Sequence, residues 1–133
     1  MDVNKLTTAC TQPAWAVLLN HYHLLVHVTE FGALGDIFRL VHGPTAREWN
    51  LQDDALGRKV WYRFTDRAIR SERHYYTVLN YIHHNPVKHG WAESPYDWEE
   101  SSVHWYLIHQ GRDWLRDSWV RYPVRDYGRG WDA

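Results

Sequence analysis

A single cysteine, Cys10, stands in the 133 residues, so no disulfide can close within the chain and no CxxC pair is present to clamp zinc. Thiol usage of this kind fits a reducing compartment. An excess of one charge is also lacking. Fifteen Lys and Arg against sixteen Asp and Glu leave a net charge of −1, which argues against a protein that coats duplex DNA by bulk electrostatics. No apolar run approaches the roughly 20 residues of a membrane span, and Met1-Asp2-Val3-Asn4 lacks the basic and apolar regions of a secretory leader. The expectation is a soluble, cytoplasmic protein with no membrane partner. Eight Gly and five Pro are too few for a fibrous or low-complexity chain, and there is no GxxxxGK[ST] phosphate loop. The length is one domain's worth, enough for a core without covalent staples.

What the chain has instead is ten His, nine Trp and nine Tyr, a stock of metal ligands, proton carriers and base-stacking surfaces. Its near-neutrality also hides a gradient. Residues 38–91 carry nine Lys and Arg against five acids, and both flanks are acidic.

Ala14–Leu19 and His23–Thr29 read as two adjacent strands, and the aromatic and charged alternation of Lys59–Ile69 as a third. Leu34, Ile37, Phe38 and Val41 give helical spacing until Gly43-Pro44 interrupts it. The best helix starts at Ser71, a natural N-cap, and runs to about His84, with Tyr75, Val78, Leu79 and Ile82 as its apolar stripe, Pro86 as its stop and Gly90 as a turn. Arg112–Arg121 forms a short peripheral helix.

Two constellations carry chemistry. In Asn20-His21-Tyr22-His23, imidazoles two apart at a strand start share a face and can ligate one cation. An isolated HxH is weak evidence, since histidines so spaced are more often surface or hydrogen-bonded groups. His27 has the same parity but lies roughly 13 Å further along a strand, too far to join them. The second is Tyr81-Ile82-His83-His84-Asn85-Pro86-Val87-Lys88-His89-Gly90. At about 100° per residue, His74, Tyr81 and Asn85 fall on one flank of the buried stripe, while His84 turns away from the core. Tyr81 is the tyrosine best placed to be both anchored and reachable. The competing reading makes Tyr81 an amphipathic boundary residue and Asn85 a helix C-cap.

In this order the two strings resemble the HUH single-tyrosine transposases, specifically the REP-associated branch; Gly57-Arg58-Lys59-Val60-Trp61-Tyr62 and Ser101-Ser102 also fit it. The likeness spans roughly Ala14–Tyr106, and the Tyr81–Gly90 string is its specific part. It implies an α+β, ferredoxin-like HUH fold, an antiparallel sheet with helices on one side. Residues 1–106 would be the catalytic domain and residues 107–133 a Trp-rich extension packed on it. It further implies cleavage and rejoining of single-stranded or hairpin DNA, with Tyr81 as nucleophile and His21, His23 and Asn85 as ligands of Mg²⁺ or Mn²⁺. By ligand type alone, two imidazoles and an amide suit Zn²⁺ or Mn²⁺ better than Mg²⁺. Lys88, Arg63, Arg67, Arg70, Arg73 and His74 are candidate strand contacts, and Trp61, Tyr62 and Trp91 candidate stacking platforms.

The chain departs from the branch in two ways. Leu18-Leu19 replaces the usual Met-Pro, and only about a dozen residues precede Ala14, where a strand and a helix are usual. The expectation is therefore a sheet lacking its first strand, with an open edge inviting a homodimer. A second function follows from that shortness: an inactive remnant that binds DNA hairpins. A third, a zinc hydrolase or cupin-like site on the HxH, is disfavoured because Glu30 lies too far past His23 and no HxHxD is present.

Overall fold

The computed structural model describes residues 10–28, 31–59 and 67–131. Among the described residues the architecture is α+β, a two-stranded antiparallel sheet with four helices, consistent with a ferredoxin-like HUH fold. The elements are β1 (Cys10–Val17), β2 (Tyr22–Val28), α1 (Phe31–Gln52), α2 (Glu72–Lys88), a 3₁₀ turn (Pro95–Asp97), α3 (Val103–His109) and α4 (Arg112–Arg121). The chain divides into two compact units, one of Met1–Thr11 with His27–Ala68, the other of Gln12–Val26 with Ile69–Ala133.

In the first unit, α1 runs unbroken through Pro44, contrary to the interruption expected there. A proline removes one hydrogen bond, and the helix formers Ala46-Arg47-Glu48 carry the helix past the gap. Its end is clasped by a side-chain pair. The Asn50 amide donates to the Arg58 carbonyl at 2.8 Å, and Arg58 Nε donates back to Asn50 Oδ1 at 2.9 Å. Residues 60–66 of the expected third strand, with Trp61, Tyr62 and Arg63, lie outside the described residues, and its described ends, Lys59 and Arg67–Ile69, are not in a strand.

The second unit is built around α2. Ser71 caps it as expected, its hydroxyl accepting from the His74 N–H at 3.0 Å, and Val78, Leu79 and Ile82 form the buried stripe, with Tyr75 against its edge. Pro86 does not stop the helix. Only the Ile82 carbonyl loses its regular donor so near the end, and the ring is fully buried. The helix ends two residues later, at Lys88, in a Schellman motif, where Trp91 N–H donates to Pro86 O and Gly90 N–H to Val87 O, both at 3.0 Å. Gly90 supplies the φ of +75° that the motif requires.

The hairpin closes through a 2.8 Å bond from Leu18 N–H to His21 O, and Ala14, Ala16 and Leu25 face the core. The other edge of β1 is covered over Trp15–Val17. Val17 N–H donates to Glu100 O and Ser102 N–H to Trp15 O, both at 2.9 Å. The Ser102 hydroxyl accepts from Trp15 N–H and the Trp98 indole donates to Val17 O, again at 2.9 Å. The open edge expected to attract a second copy is therefore closed along these residues. Asn80, buried in α2, ties down α4 by donating to the carbonyls of Ser118 and Tyr122. The helix α3, which the aromatic-rich sequence does not announce, is anchored where the Tyr106 hydroxyl donates to Pro13 O.

His83 is the buried joint between α2 and the residues alongside β1, its Nε2 lying 2.8 Å from Ser102 Oγ. Burial, with the neighbouring His104 adding to it, pushes its pKa down from 6.5 to about 3. An unfolded chain takes up this proton near pH 6.5, whereas the folded one refuses it until about pH 3. The stability held by the neutral ring is thus complete above pH 6.5 and falls as the pH drops toward 3. Urea unfolding of the parent and His83→Gln across this window is expected to show the parent losing its relative advantage, with a limiting slope of about 1.4 kcal/mol per pH unit. A difference that stays flat with pH would contradict the assignment.

Candidate active site

The face of α2 that carries Tyr81 also carries Asn85 and His89, each one turn on, and all three belong to the second unit with the β1–β2 turn. His23 meets the Tyr81 ring edge-on, with centroids 5.4 Å apart. His21 meets His23 at 4.9 Å and His89 at 5.2 Å. Asn85 is bracketed between the two helix residues that touch this imidazole pair. The structure thus brings His21 and His23 against Tyr81 and His89, with Asn85 one helical turn from each of these two.

The chemistry of the donors fits a cation. Asn85 is wholly buried, and neither its amide nitrogen nor its oxygen has a hydrogen-bond partner. A buried amide left so costs on the order of 1–3 kcal/mol, and an ion accepting its oxygen would remove part of that cost. His21 Nδ1 donates to Asn20 Oδ1 at 2.6 Å, a bond that orients the ring and puts its lone pair on Nε2, as a ligand imidazole needs. Among the described residues no three His, Cys, Asp or Glu side chains are grouped to hold a metal, so Asn85 would have to complete the set.

Tyr81 itself is only 4% exposed, against the expectation that it is reachable. Its cover is the segment Val124–Trp131. The Tyr127 and Trp131 rings stand edge-on to it at 5.5 and 5.7 Å, and Gly128 lies directly over it. A Cβ at residue 128 would sit 2.4 Å from Tyr81 Cε2, and the backbone there has φ of +75°, so both space and conformation demand glycine.

Lys88 holds this arrangement. Its ammonium donates to the Tyr81 hydroxyl at 3.1 Å and to the carbonyls of Gly128 and Trp131 at 3.0 and 3.1 Å, using all three of its protons. His74 is engaged similarly. Nδ1 accepts from Arg70 N–H at 3.1 Å, so Nε2 carries the proton that goes to the Tyr127 hydroxyl, also at 3.1 Å. Two of the six candidate strand contacts thus bind the C-terminal segment. Arg67, Arg70 and Arg73 are exposed, and Arg63 is outside the described residues. Trp91 stacks on His89 at 4.8 Å and on Trp98 at 6.2 Å, so a row of rings leads from the β1 edge to His21. His27 is exposed.

Sequence reasoning passed over His89, although it sits at the same helical spacing from Asn85 as Asn85 does from Tyr81. It could not reach Gly128, Tyr127 or Trp131, whose contacts with α2 span some forty to fifty residues with no local pattern.

The chain is 34% identical over 93 residues to the REP-associated tyrosine transposase of Escherichia coli (strain K12), a match covering 68% of this chain and 53% of that protein. It is 44% identical over 101 residues to a protein named for the same activity in Haemophilus influenzae (strain ATCC 51907 / DSM 11121 / KW20 / Rd), covering 68% of this chain and 57% of the relative. The chain belongs to the REP-associated tyrosine transposase family. It spans a little over half the length of these curated relatives. No family model and no solved structure matches it. Among the described residues no helix is long and apolar enough to cross a membrane.

Replacing Gly128 with alanine is expected to dislodge residues 124–131. Limited proteolysis should then cut this segment at least several-fold faster than in the parent, with a change in tryptophan emission as Trp131 leaves Tyr81. An unchanged cleavage rate would mean that the segment is not held by the contact at Gly128.

Proposed function

We propose that this chain cuts and rejoins single-stranded or hairpin DNA through a phosphotyrosine at Tyr81, the chemistry of DNA transposition. The observation that carries the reading is the unpartnered buried amide of Asn85, one helical turn past Tyr81, whose ring meets His23 of the His21–His23 pair. In the step itself the Tyr81 oxygen attacks phosphorus, forming an O–P bond and breaking the bond to the 3′-oxygen. The phenol proton is given up and the leaving 3′-oxygen ends as a hydroxyl, with the 5′-phosphate held on the protein. Attack by a 3′-hydroxyl on that phosphotyrosine reverses the step and joins a strand without ATP, because the phosphodiester energy is conserved.

A phenol with its ordinary pKa near 10 is a weak nucleophile. The Lys88 ammonium, 3.1 Å from the Tyr81 oxygen, is placed to stabilise charge developing there during attack. His21, His23 and Asn85 would hold a divalent cation, which when bound would supply Lewis-acid polarisation of the phosphate. Mn²⁺ satisfies both the imidazole-rich donor set and the family resemblance. A phosphate cannot reach the hydroxyl while residues 124–131 cover it, so strand entry requires that segment to move and Lys88 to exchange its carbonyl partners for phosphate oxygens.

The same closure gives specific support to a second reading, a DNA-hairpin binding module that does not cut. One experiment separates the two. The protein is incubated with a hairpin oligonucleotide and Mn²⁺ and resolved on a denaturing gel. Catalysis predicts a DNA-linked protein band that is absent in Tyr81→Phe and reduced in Asn85→Ala by about 10-fold or more. An adduct that survives Tyr81→Phe sinks the assignment. Salt-sensitive binding with no adduct under any divalent cation favours the binding module.

A further inference from the structure

Between β1 and the imidazole pair runs a file of rings to which the transesterification gives no part. The Trp98 indole donates to Val17 O at 2.9 Å. Trp98 stacks on Trp91 at 6.2 Å and Trp91 on His89 at 4.8 Å, and His89 stands edge-on to His21 at 5.2 Å, with 74° between the planes. All of these residues lie in the second unit. The turn after α2 assembles the middle of the file. Gly90, at φ of +75°, reverses the chain, so that His89 and Trp91 on either side of it stack with planes 20° from parallel. The place of His89 is set from α2, since its N–H donates to Asn85 O at 3.2 Å.

The file closes on itself. It leaves β1 at Val17 and returns at His21, in the turn that follows, while Leu18 N–H donates to His21 O at 2.8 Å across the same turn. The β1–β2 turn is thus held on its backbone by the hairpin and on its side-chain face by the rings. The His21 ring gains a direction from that second hold. Its bond from Nδ1 to Asn20 Oδ1 is exposed, and an exposed hydrogen bond competes with water and fixes a ring weakly. Edge-on contacts with His89 and with His23, at 74° and 88°, constrain the imidazole plane directly.

We infer that His89, backed by Trp91, is a positioning residue that sets the plane of the His21 ring and, through it, the affinity of the site for a divalent cation. The inference rests on the reading of His21, His23 and Asn85 as cation ligands and adds to it the group that orients one of them. An imidazole binds a cation through a lone pair in its ring plane, so that plane must lie within roughly 10–20° of its productive direction. A ring already held there loses less freedom when the cation binds. His89 acts here by its packing and not by its nitrogens. Among the described residues no three His, Cys, Asp or Glu side chains are grouped to hold a metal, which places His89 outside a ligand set with His21 and His23.

The test uses the full chain without DNA and Mn²⁺ alone as the probe, with binding read from the loss of the free-ion electron paramagnetic resonance signal. The parent is expected to bind Mn²⁺, and His21→Ala to lose it. His89→Ala should weaken binding by about 10- to 100-fold, the range for removing a group that orients a metal ligand. His89→Phe, which keeps a flat ring on Trp91 and carries no nitrogen, should recover most of that loss. Trp91→Ala should also weaken binding, and combining it with His89→Ala should cost little more, because both act through one ring. General misfolding of His89→Ala would not be repaired by His89→Phe. If His89→Ala binds Mn²⁺ like the parent, the file does not position His21. If His89→Phe is as weak as His89→Ala, the nitrogens of His89 are what the site needs, and the positioning role is wrong. Either result leaves His21 standing as a ligand, whereas a parent that binds no Mn²⁺ overturns that reading and this inference together.

Discussion

Lys88 reaches the Tyr81 hydroxyl and the carbonyls of Gly128 and Trp131 only because α2 stays helical past Pro86. Seven residues separate Lys88 from Tyr81, two turns of helix, so any break at the proline would swing the ammonium away from the phenol. The same extra turn aligns Asn85 and His89 with Tyr81 on the face that meets His21 and His23. The Schellman end at Gly90 then returns the chain through Trp91, whose ring stacks on His89. A local question of helix termination therefore decides whether the clasp residue Lys88 and His89 share one face with Tyr81.

That clasp sets two demands on the same side chain. An ammonium has three protons, and all three of those on Lys88 go to acceptors already inside the protein. Two of these acceptors belong to the covering segment, so a phosphate and the segment compete for one cation as well as for one space. His74 reinforces the covered state from the other end of α2 by its bond to Tyr127. The covered state thus depends on Lys88 and His74, two of the residues that sequence reasoning assigns to the strand, and in the proposed reaction covering and strand entry would exclude each other by sterics and by hydrogen-bond count.

The local part of this was legible from the residues. The cap at Ser71, the apolar stripe of α2 and the placing of Tyr81 and Asn85 on one flank follow from helical period and from motif order, and α4 occupies the expected Arg112–Arg121. Two stops were misread, at Pro44 and Pro86, because one proline costs a single hydrogen bond and the flanking residues decide whether the helix survives it. The segment over Tyr81 was invisible for a different reason. Gly128 looks like one turn glycine among several, and its role appears only when the Tyr81 ring is found within 2.4 Å of where its Cβ would be. The closure of the β1 edge was equally out of reach, since Glu100 and Ser102 pair with β1 across more than eighty residues of chain. Ser101-Ser102, which seemed a mere accompaniment to the family motifs, turns out to be a joint, with one hydroxyl serving both Trp15 and His83.

The excess of histidine is explained by a similar division. In the second unit the core includes the small residues Ala14 and Ala16, and much of its cohesion comes from rings that both pack and hydrogen-bond. His74, His83 and His104 each fix one non-local or cap contact through a ring nitrogen. A neutral imidazole can do this without the desolvation cost of a charge, and burial keeps His83 neutral across the physiological range. The same property suits His21 and His23 to a cation, since only the neutral ring has a lone pair to give. What distinguishes the two uses is the partner of the second nitrogen. In His74 both nitrogens are engaged by protein groups, whereas in His21 the bond to Asn20 orients the ring and turns its Nε2 toward the site it shares with His23 and His89.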